Sequence, residues 1–273
     1  MFFEPSRRPR QLSFWGMRIG LSLSQKLGLL LYLWLSLLSV RAQQPAPAPA
    51  SSSAQPAPRT DDERRRTDWA DLARYAAANA RLPPPRPGRP RVVLLGNSIT
   101  EGWSRADSAF FQDPAYELIN RGISGQTSGQ LLLRCWPDVI ALRPAVLVLL
   151  GGVNDVAENN GPYDPVATER NLEAVVELAQ AHGIRVVLCS VLPAYDFWWR
   201  PGREPALKIV ALNARLRACA ARHRATYLDY HAALADARQG LPPAYAPDGV
   251  HPNLAGYRVM EGLLRPSLRR VLR

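Results

Sequence analysis

Cysteine is scarce in this chain. Cys135, Cys189 and Cys219 are its only three in 273 residues, an odd number with no Cys-x-x-Cys pair. That spacing excludes a disulfide framework and a thiolate zinc site. The four histidines form neither His-Glu-x-x-His nor His-x-His, so no catalytic metal is indicated. Long apolar runs are missing too: Leu27 to Val40 falls short of the roughly 20 residues that a membrane-spanning helix takes. The formal net charge is +11, but no basic run exceeds Arg64-Arg65-Arg66, which follows Asp61, Asp62 and Glu63. Much of the excess lies in Arg7, Arg8, Arg10, Arg18, Lys26 and Arg41, set against Glu4 alone. A nucleic-acid partner is therefore not indicated. The chain has no internal repeat and no second catalytic domain.

What is present divides the chain in three. Residues 1–42 carry basic residues, then the apolar stretch, then Val40-Arg41-Ala42, the order of a signal peptide with small residues for the peptidase. Met17 is an alternative start, and an uncleaved N-terminal anchor is the alternative fate. Export, periplasmic or secreted, is the expected localisation, with membrane contact only through this segment if it stays attached. Residues 43–59 are rich in Pro, Ala and Ser and form an extended tether. Residues 60–273 form the folded domain. It opens on Thr60-Asp61-Asp62-Glu63, which has capping-box spacing, and Trp69, Leu72, Ala76 and Ala80 follow at helical spacing until Leu82-Pro83-Pro84-Pro85.

From Arg91 onward strand-like and helix-like segments alternate. The runs Val92 to Leu95, Tyr116 to Asn120, Ala145 to Leu150, Ile184 to Cys189 and Ala225 to Tyr230 are near-continuously apolar, as in a parallel sheet covered on both faces. Helices are expected from Thr127, from Asp164-Pro165 to His182-Gly183 with Leu172, Val175, Val176 and Ala179 inward, and from Glu204-Pro205. A last helix from Asn253 is expected to be spoiled by Pro266. Cys189 and Cys219 fall on apolar faces as small core residues. The fold class is α/β: a three-layer α/β/α sandwich around a five-stranded parallel, flavodoxin-like sheet.

Four loops carry the chemistry. Gly96-Asn97-Ser98 ends the first strand. Asn120-Arg121-Gly122-Ile123-Ser124-Gly125-Gln126-Thr127 turns into a helix, Gly151-Gly152-Val153-Asn154-Asp155 follows the most apolar strand, and Asp248-Gly249-Val250-His251-Pro252 leads into the last helix. A serine hydroxyl needs an adjacent base to act as a nucleophile, and a histidine serves if a carboxylate holds its other nitrogen. Asp248 and His251, three apart around a glycine, can be presented by one tight loop. Ser98 N–H, Gly125 N–H and the Asn154 side-chain amide are available donors for a tetrahedral oxyanion.

These blocks resemble the SGNH, or GDSL, hydrolases over roughly Arg91 to Leu264. Gly96-Asn97-Ser98 stands in the first block with Asn97 in place of the usual Asp. Asn120-x-Gly122-x-x-Gly125, Gly152-x-Asn154-Asp155 and Asp248-x-x-His251 match the others. The resemblance implies Ser98 as nucleophile, His251 as base and Asp248 as its orienter, with Ser98 N–H, Gly125 and Asn154 in the oxyanion hole. It implies no metal or organic cofactor. Within the family the chain is most similar to platelet-activating-factor acetylhydrolase-like esterases and bacterial acylhydrolases, through Arg121 to Thr127 and the segment Leu192 to Pro201. In that segment Tyr195, Phe197, Trp198 and Trp199 are expected to wall an acyl or sugar pocket; a hydrophobic plug under the loop is the alternative. Arg200 and Arg203 read as solvated loop charges. The expected activity is hydrolysis of short-chain, mainly acetyl, esters on a small acyl-ester or acetylated carbohydrate substrate. Lipid-ester acetylhydrolysis, O-acyl transfer between carbohydrates and non-catalytic glycan binding are the alternatives.

Overall fold

The computed structural model describes Glu63 and residues 66–273, all within the unit Pro58–Arg273. The expected export segment (1–42), the expected tether (43–59) and Thr60 to Asp62 lie outside the described residues. Five strands form one parallel sheet: β1 (Arg91–Gly96), β2 (Glu117–Gly122), β3 (Val146–Leu150), β4 (Arg185–Cys189) and β5 (Thr226–Leu228), in the order β2-β1-β3-β4-β5. Every residue of β1 and β3 is buried, so both sheet faces are covered. That is why the strands read as apolar runs rather than as alternations.

The helices, numbered in chain order, begin with α1 (Ala76–Arg81), α2 (Ser98–Ala106) and α3 (Ser128–Asp138). The single turn α4 (Val153–Val156) precedes α5 (Pro165–Ala181) and α6 (Pro205–Arg222). The short α7 (Tyr230–Leu234) and α8 (Leu254–Val271) complete the chain. Helix α3 packs on α5 and α5 on α6, while α2 meets α8. Leu172, Val175, Val176 and Ala179 of α5 are wholly buried, as their spacing requires. Asp164 caps α5 by accepting from Val166 N and Ala167 N. The three cysteines are free and buried.

Two expectations fail. No continuous helix runs from the Thr60 box to Leu82: the chain is in turns through 69–75, and Asp71 adopts φ 52°. Asp68 explains it, because its carboxylate accepts from Leu72 N and Ala73 N and so offers the backbone a non-helical solution. Ala70, not Trp69 or Leu72, is the residue buried there. Conversely, Pro266 does not end the last helix. α8 continues for 18 residues, because Tyr257, Met260, Leu264 and Leu268 are buried on both sides of the proline and their packing outweighs one lost hydrogen bond.

Glycine sets the closeness of α2 to the sheet. A Cβ on Gly122 would collide with the Glu101 backbone, and one on Gly96 with Thr100 and the Leu150 carbonyl. Gly122→Ala is expected to cost about 3 kcal/mol of stability. Gly262→Ala, in open space on α8, should stabilise by about 1 kcal/mol. Urea unfolding of the two variants checks the pair; a Gly122→Ala protein as stable as its parent would contradict the packing account.

Candidate active site

In a doubly wound sheet ligands bind beyond the carboxyl ends of the strands, where the strand order reverses. Here the reversal lies at β1 and β3, whose last residues Gly96 and Leu150 are paired neighbours. Ser98 follows β1 as the first residue of α2, half-buried, with its backbone N–H among those that a helix start leaves unpaired. Asn97 caps that helix: its Oδ1 accepts from Ile99 N at 3.3 Å. The exchange of the family's usual Asp for Asn97 therefore keeps the turn, but leaves Asn97 Nδ2 buried without a partner among the described residues.

Ser98 Oγ lies 2.9 Å from His251 Nε2, and His251 Nδ1 lies 2.7 Å from Asp248 Oδ2. An ionised carboxylate only accepts, so Nδ1 carries the proton and Nε2 is left to accept from the serine. Asp248 Oδ1 also accepts from His251 N (2.8 Å) and Val250 N (3.0 Å), which winds the loop into one rigid turn. Burial alone would raise the Asp248 pKa, but these hydrogen bonds and the imidazole outweigh it and hold the carboxyl below its ordinary value. Sequence-distant elements meet here because Tyr257 of α8 donates its hydroxyl to the Ile99 carbonyl of α2 at 2.8 Å and stacks on Trp103, centroids 5.4 Å apart.

Gly125 lies in the exposed part of the second loop at φ 78°, the left-handed region that glycine adopts freely. Asn154, 3% exposed, donates Nδ2 to the Gln126 carbonyl at 2.9 Å. One amide hydrogen is used there, and the second has no partner among the described residues. The loop itself hangs on Arg134, fully buried in α3. Its guanidinium binds Asp138 (2.8 Å), Gln126 Oε1 (2.8 Å) and the Arg121 carbonyl (2.6 Å). Asp155, next to Asn154, bonds to α3 and not to Ser98 among the described contacts. It accepts from Ser128 N and Ser128 Oγ and is pushed up by burial, with those bonds only partly offsetting it.

The aromatic segment is corrected in part. Phe197 is wholly buried in the core and supports Trp199 from 5.0 Å, so it is a plug and not a pocket wall. Tyr195 lies under the Arg238 guanidinium, and Trp198 is 70% exposed. Trp199 flanks the base, its ring 6.1 Å from that of His251. Arg203 is not a free loop charge; it pairs with Glu158 at 3.0 Å. Two contributors lie outside the four sequence blocks: Arg134 of α3 and Asn159 after α4. The spacing of Arg134 four residues before Asp138 is the one signal that could have exposed the first.

Glu173, Cys219 and His223 come together between α5 and α6, with ligand-type atoms within 4.8 Å of one another. Arg222 already neutralises Glu173, and burial pushes the Cys219 thiol up to about 11, so an ion-pair cluster accounts for them. A cavity of about 190 Å³ beside Trp69, Asp155, Asn160 and Tyr163 includes none of Ser98, Asp248 and His251. Among the described residues no helix is long and apolar enough to cross a membrane.

A doubly wound parallel sheet with a serine, histidine and aspartate in hydrogen-bonded line at its carboxyl edge has the architecture of a serine hydrolase. Comparison narrows the class: the chain belongs to the GDSL-like lipase/acylhydrolase family, whose profile matches residues 94–259. It is similar to a candidate acylhydrolase from Bacteroides fragilis NCTC 9343, 46% identical with a TM-score of 0.73 over 76% of this chain and 99% of that one. A GDSL-like lipase from Bacteroides thetaiotaomicron VPI-5482 is 44% identical, TM-score 0.72, over 74% and 99%. An acetylxylan esterase of Xylanibacter ruminicola is 23% identical over 223 residues, 69% of this chain and 45% of that one. The chain spans about half the length of such curated relatives.

The depressed Asp248 pKa fixes a pH dependence. A carboxyl held low in the folded state contributes stability above its unfolded pKa and loses it as pH falls through the folded value. The melting-temperature gap between the parent and Asp248→Asn should persist down to about pH 5 and close below about pH 4. A gap that closed between pH 7 and 6 would contradict this assignment.

Proposed function

We propose that this chain is a serine esterase that removes short acyl groups, chiefly acetyl, from carbohydrate esters. The observation that carries it is the 2.9 Å hydrogen bond from Ser98 to His251 Nε2, continued at 2.7 Å to Asp248. Ser98 Oγ attacks the ester carbonyl carbon while its proton passes to His251 Nε2. The oxyanion is held by Ser98 N–H, Gly125 N–H and Asn154 Nδ2. Collapse expels the alcohol, which takes the proton from His251. Water then attacks the acyl-enzyme, giving its proton to His251; the acid leaves and Ser98 regains its hydrogen. Asp248 stays ionised throughout and holds the imidazole. No step calls on a metal or organic cofactor.

The carbohydrate assignment is supported by the acetylxylan esterase among the relatives and by the half-buried Trp199 indole beside the base, a flat face suited to a sugar ring. Residues 1–42 serve as an export signal and 43–59 as a tether, which delivers the domain to where acetylated polysaccharide is met. One observation favours a lipid ester instead: Trp198, next in the same loop, is 70% exposed and offers an apolar contact to an acyl chain.

Ser98→Ala should reduce hydrolysis of p-nitrophenyl acetate by at least about 10⁴-fold. Retention of the parent rate would remove the nucleophile assignment. A panel of acetyl, butyryl and octanoyl esters beside acetylated xylo-oligosaccharides decides the substrate. Preference for the acetylated sugar is expected, and preference for octanoyl esters would favour the lipid alternative.

A further inference from the structure

One side chain joins the aromatic loop to Asn154. Asn159 follows α4, and its backbone N–H donates to the Asn154 carbonyl at 3.0 Å. Its Nδ2 donates to Asn154 Oδ1 at 3.0 Å and lies 3.5 Å from the Gly125 carbonyl. Its Oδ1 accepts from Trp199 Nε1 at 3.0 Å. Asn154 Nδ2 in turn donates to the Gln126 carbonyl.

The oxygen and nitrogen ends of a carboxamide are nearly the same size, so only partners decide which way it faces. Both ends of this relay are unambiguous. An indole N–H can only donate, so Asn159 must turn its oxygen to Trp199 and its NH₂ to Asn154. Asn154 must then turn its oxygen to Asn159 and its NH₂ toward Gln126, whose backbone carbonyl can only accept. Reversing either amide would set two donors or two acceptors face to face, at the half-buried Asn159 contacts or at the buried Asn154 contact with Gln126.

We infer that Trp199 and Asn159 are positioning residues that fix the polarity of the Asn154 amide, so that a hydrogen and not a lone pair faces the developing oxyanion. The inference rests on the serine-esterase chemistry proposed above. It makes the aromatic loop part of the oxyanion machinery: the residue that flanks His251 also sets the donor across from it. Glu158, beside Asn159, holds the same loop through Arg203, but that ion pair carries no amide polarity. The two tethers can therefore be separated.

The test is a cycle of Asn159→Asp, Asn154→Ala and the double variant in the full chain, assayed on p-nitrophenyl acetate with Ser98→Ala as blank. Asn159→Asp keeps an acceptor for Trp199, so the loop stays tied, but it presents an oxygen to Asn154 Oδ1 and favours the flipped amide. Asn159→Asp should lower kcat about 100-fold with KM within about threefold, as for loss of one oxyanion donor. The double variant should be no slower than Asn154→Ala alone. Trp199→Phe, which keeps an aromatic ring and removes the donor, should show a smaller loss in kcat, and Arg203→Met should stay near the parent rate. Should Asn159→Asp misfold, as judged by its melting temperature, the comparison of Trp199→Phe with Arg203→Met decides alone. Parent-like kcat in Asn159→Asp, losses that multiply in the double variant, or equal losses in Trp199→Phe and Arg203→Met would each overturn the inference while leaving the esterase assignment standing. A parent protein no faster than Ser98→Ala would overturn both.

Discussion

The register of the three central strands is the constraint on which the site depends. Gly96 at the end of β1 pairs with Gly122 of β2 on one side and Leu150 of β3 on the other. Three loops therefore leave the sheet at one level, around the point where the strand order reverses. Ser98 rises from the first, Gly125 lies on the second and Asn154 on the third. The absence of side chains on Gly96 and Gly122 lets α2 settle against the strand ends and puts the helix start, with its free N–H groups, beside the serine. Loops on separate βα units need no direct contact to converge, because the sheet has already aligned their roots.

The fourth loop has no strand to align it. His251 reaches Ser98 because α8 is fastened to α2 by the Tyr257 hydroxyl on the Ile99 carbonyl and by ring stacking on Trp103. Asn253, two residues after the histidine, caps α8 and fixes where that helix begins. The second loop depends likewise on buried charge. Arg134 is enclosed and ties Asp138, Gln126 and the Arg121 carbonyl together. Removing one member of such a buried pair typically costs about 3–5 kcal/mol, because its partner is left charged and dry. Its effect on the site is positional, since the Gln126 backbone carbonyl receives Asn154.

Much of this was legible in the sequence. β1 and β3 showed themselves as continuous apolar runs because both their faces are buried, and Asp164 and Pro165 marked the start of α5 because capping is local chemistry. The Ser98, Asp248 and His251 trio could be found because each sits in a short block of fixed spacing. The rest depended on contacts that spacing does not encode. The turns at 69–75 arise from Asp68 competing for two backbone N–H groups, and α8 survives Pro266 because of burial that only the fold supplies. Phe197 and Trp199 are two residues apart in one aromatic run, yet one fills the core and the other faces the base. Asn159 is a lone loop amide in sequence and acquires meaning only between Trp199 and Asn154.

The proposed esterase depends on the sheet edge assembling Ser98 and His251 into an activated nucleophile. The most direct measurement is the site of covalent capture by an organophosphonate ester, read as intact mass and then by peptide mapping. A tetrahedral phosphonate places its oxygen where the oxyanion would lie, so capture requires both the activated serine and the donor hole. One adduct per chain is expected, on Ser98, and its loss in His251→Ala. An unlabelled folded protein, or an adduct on another residue, would contradict it.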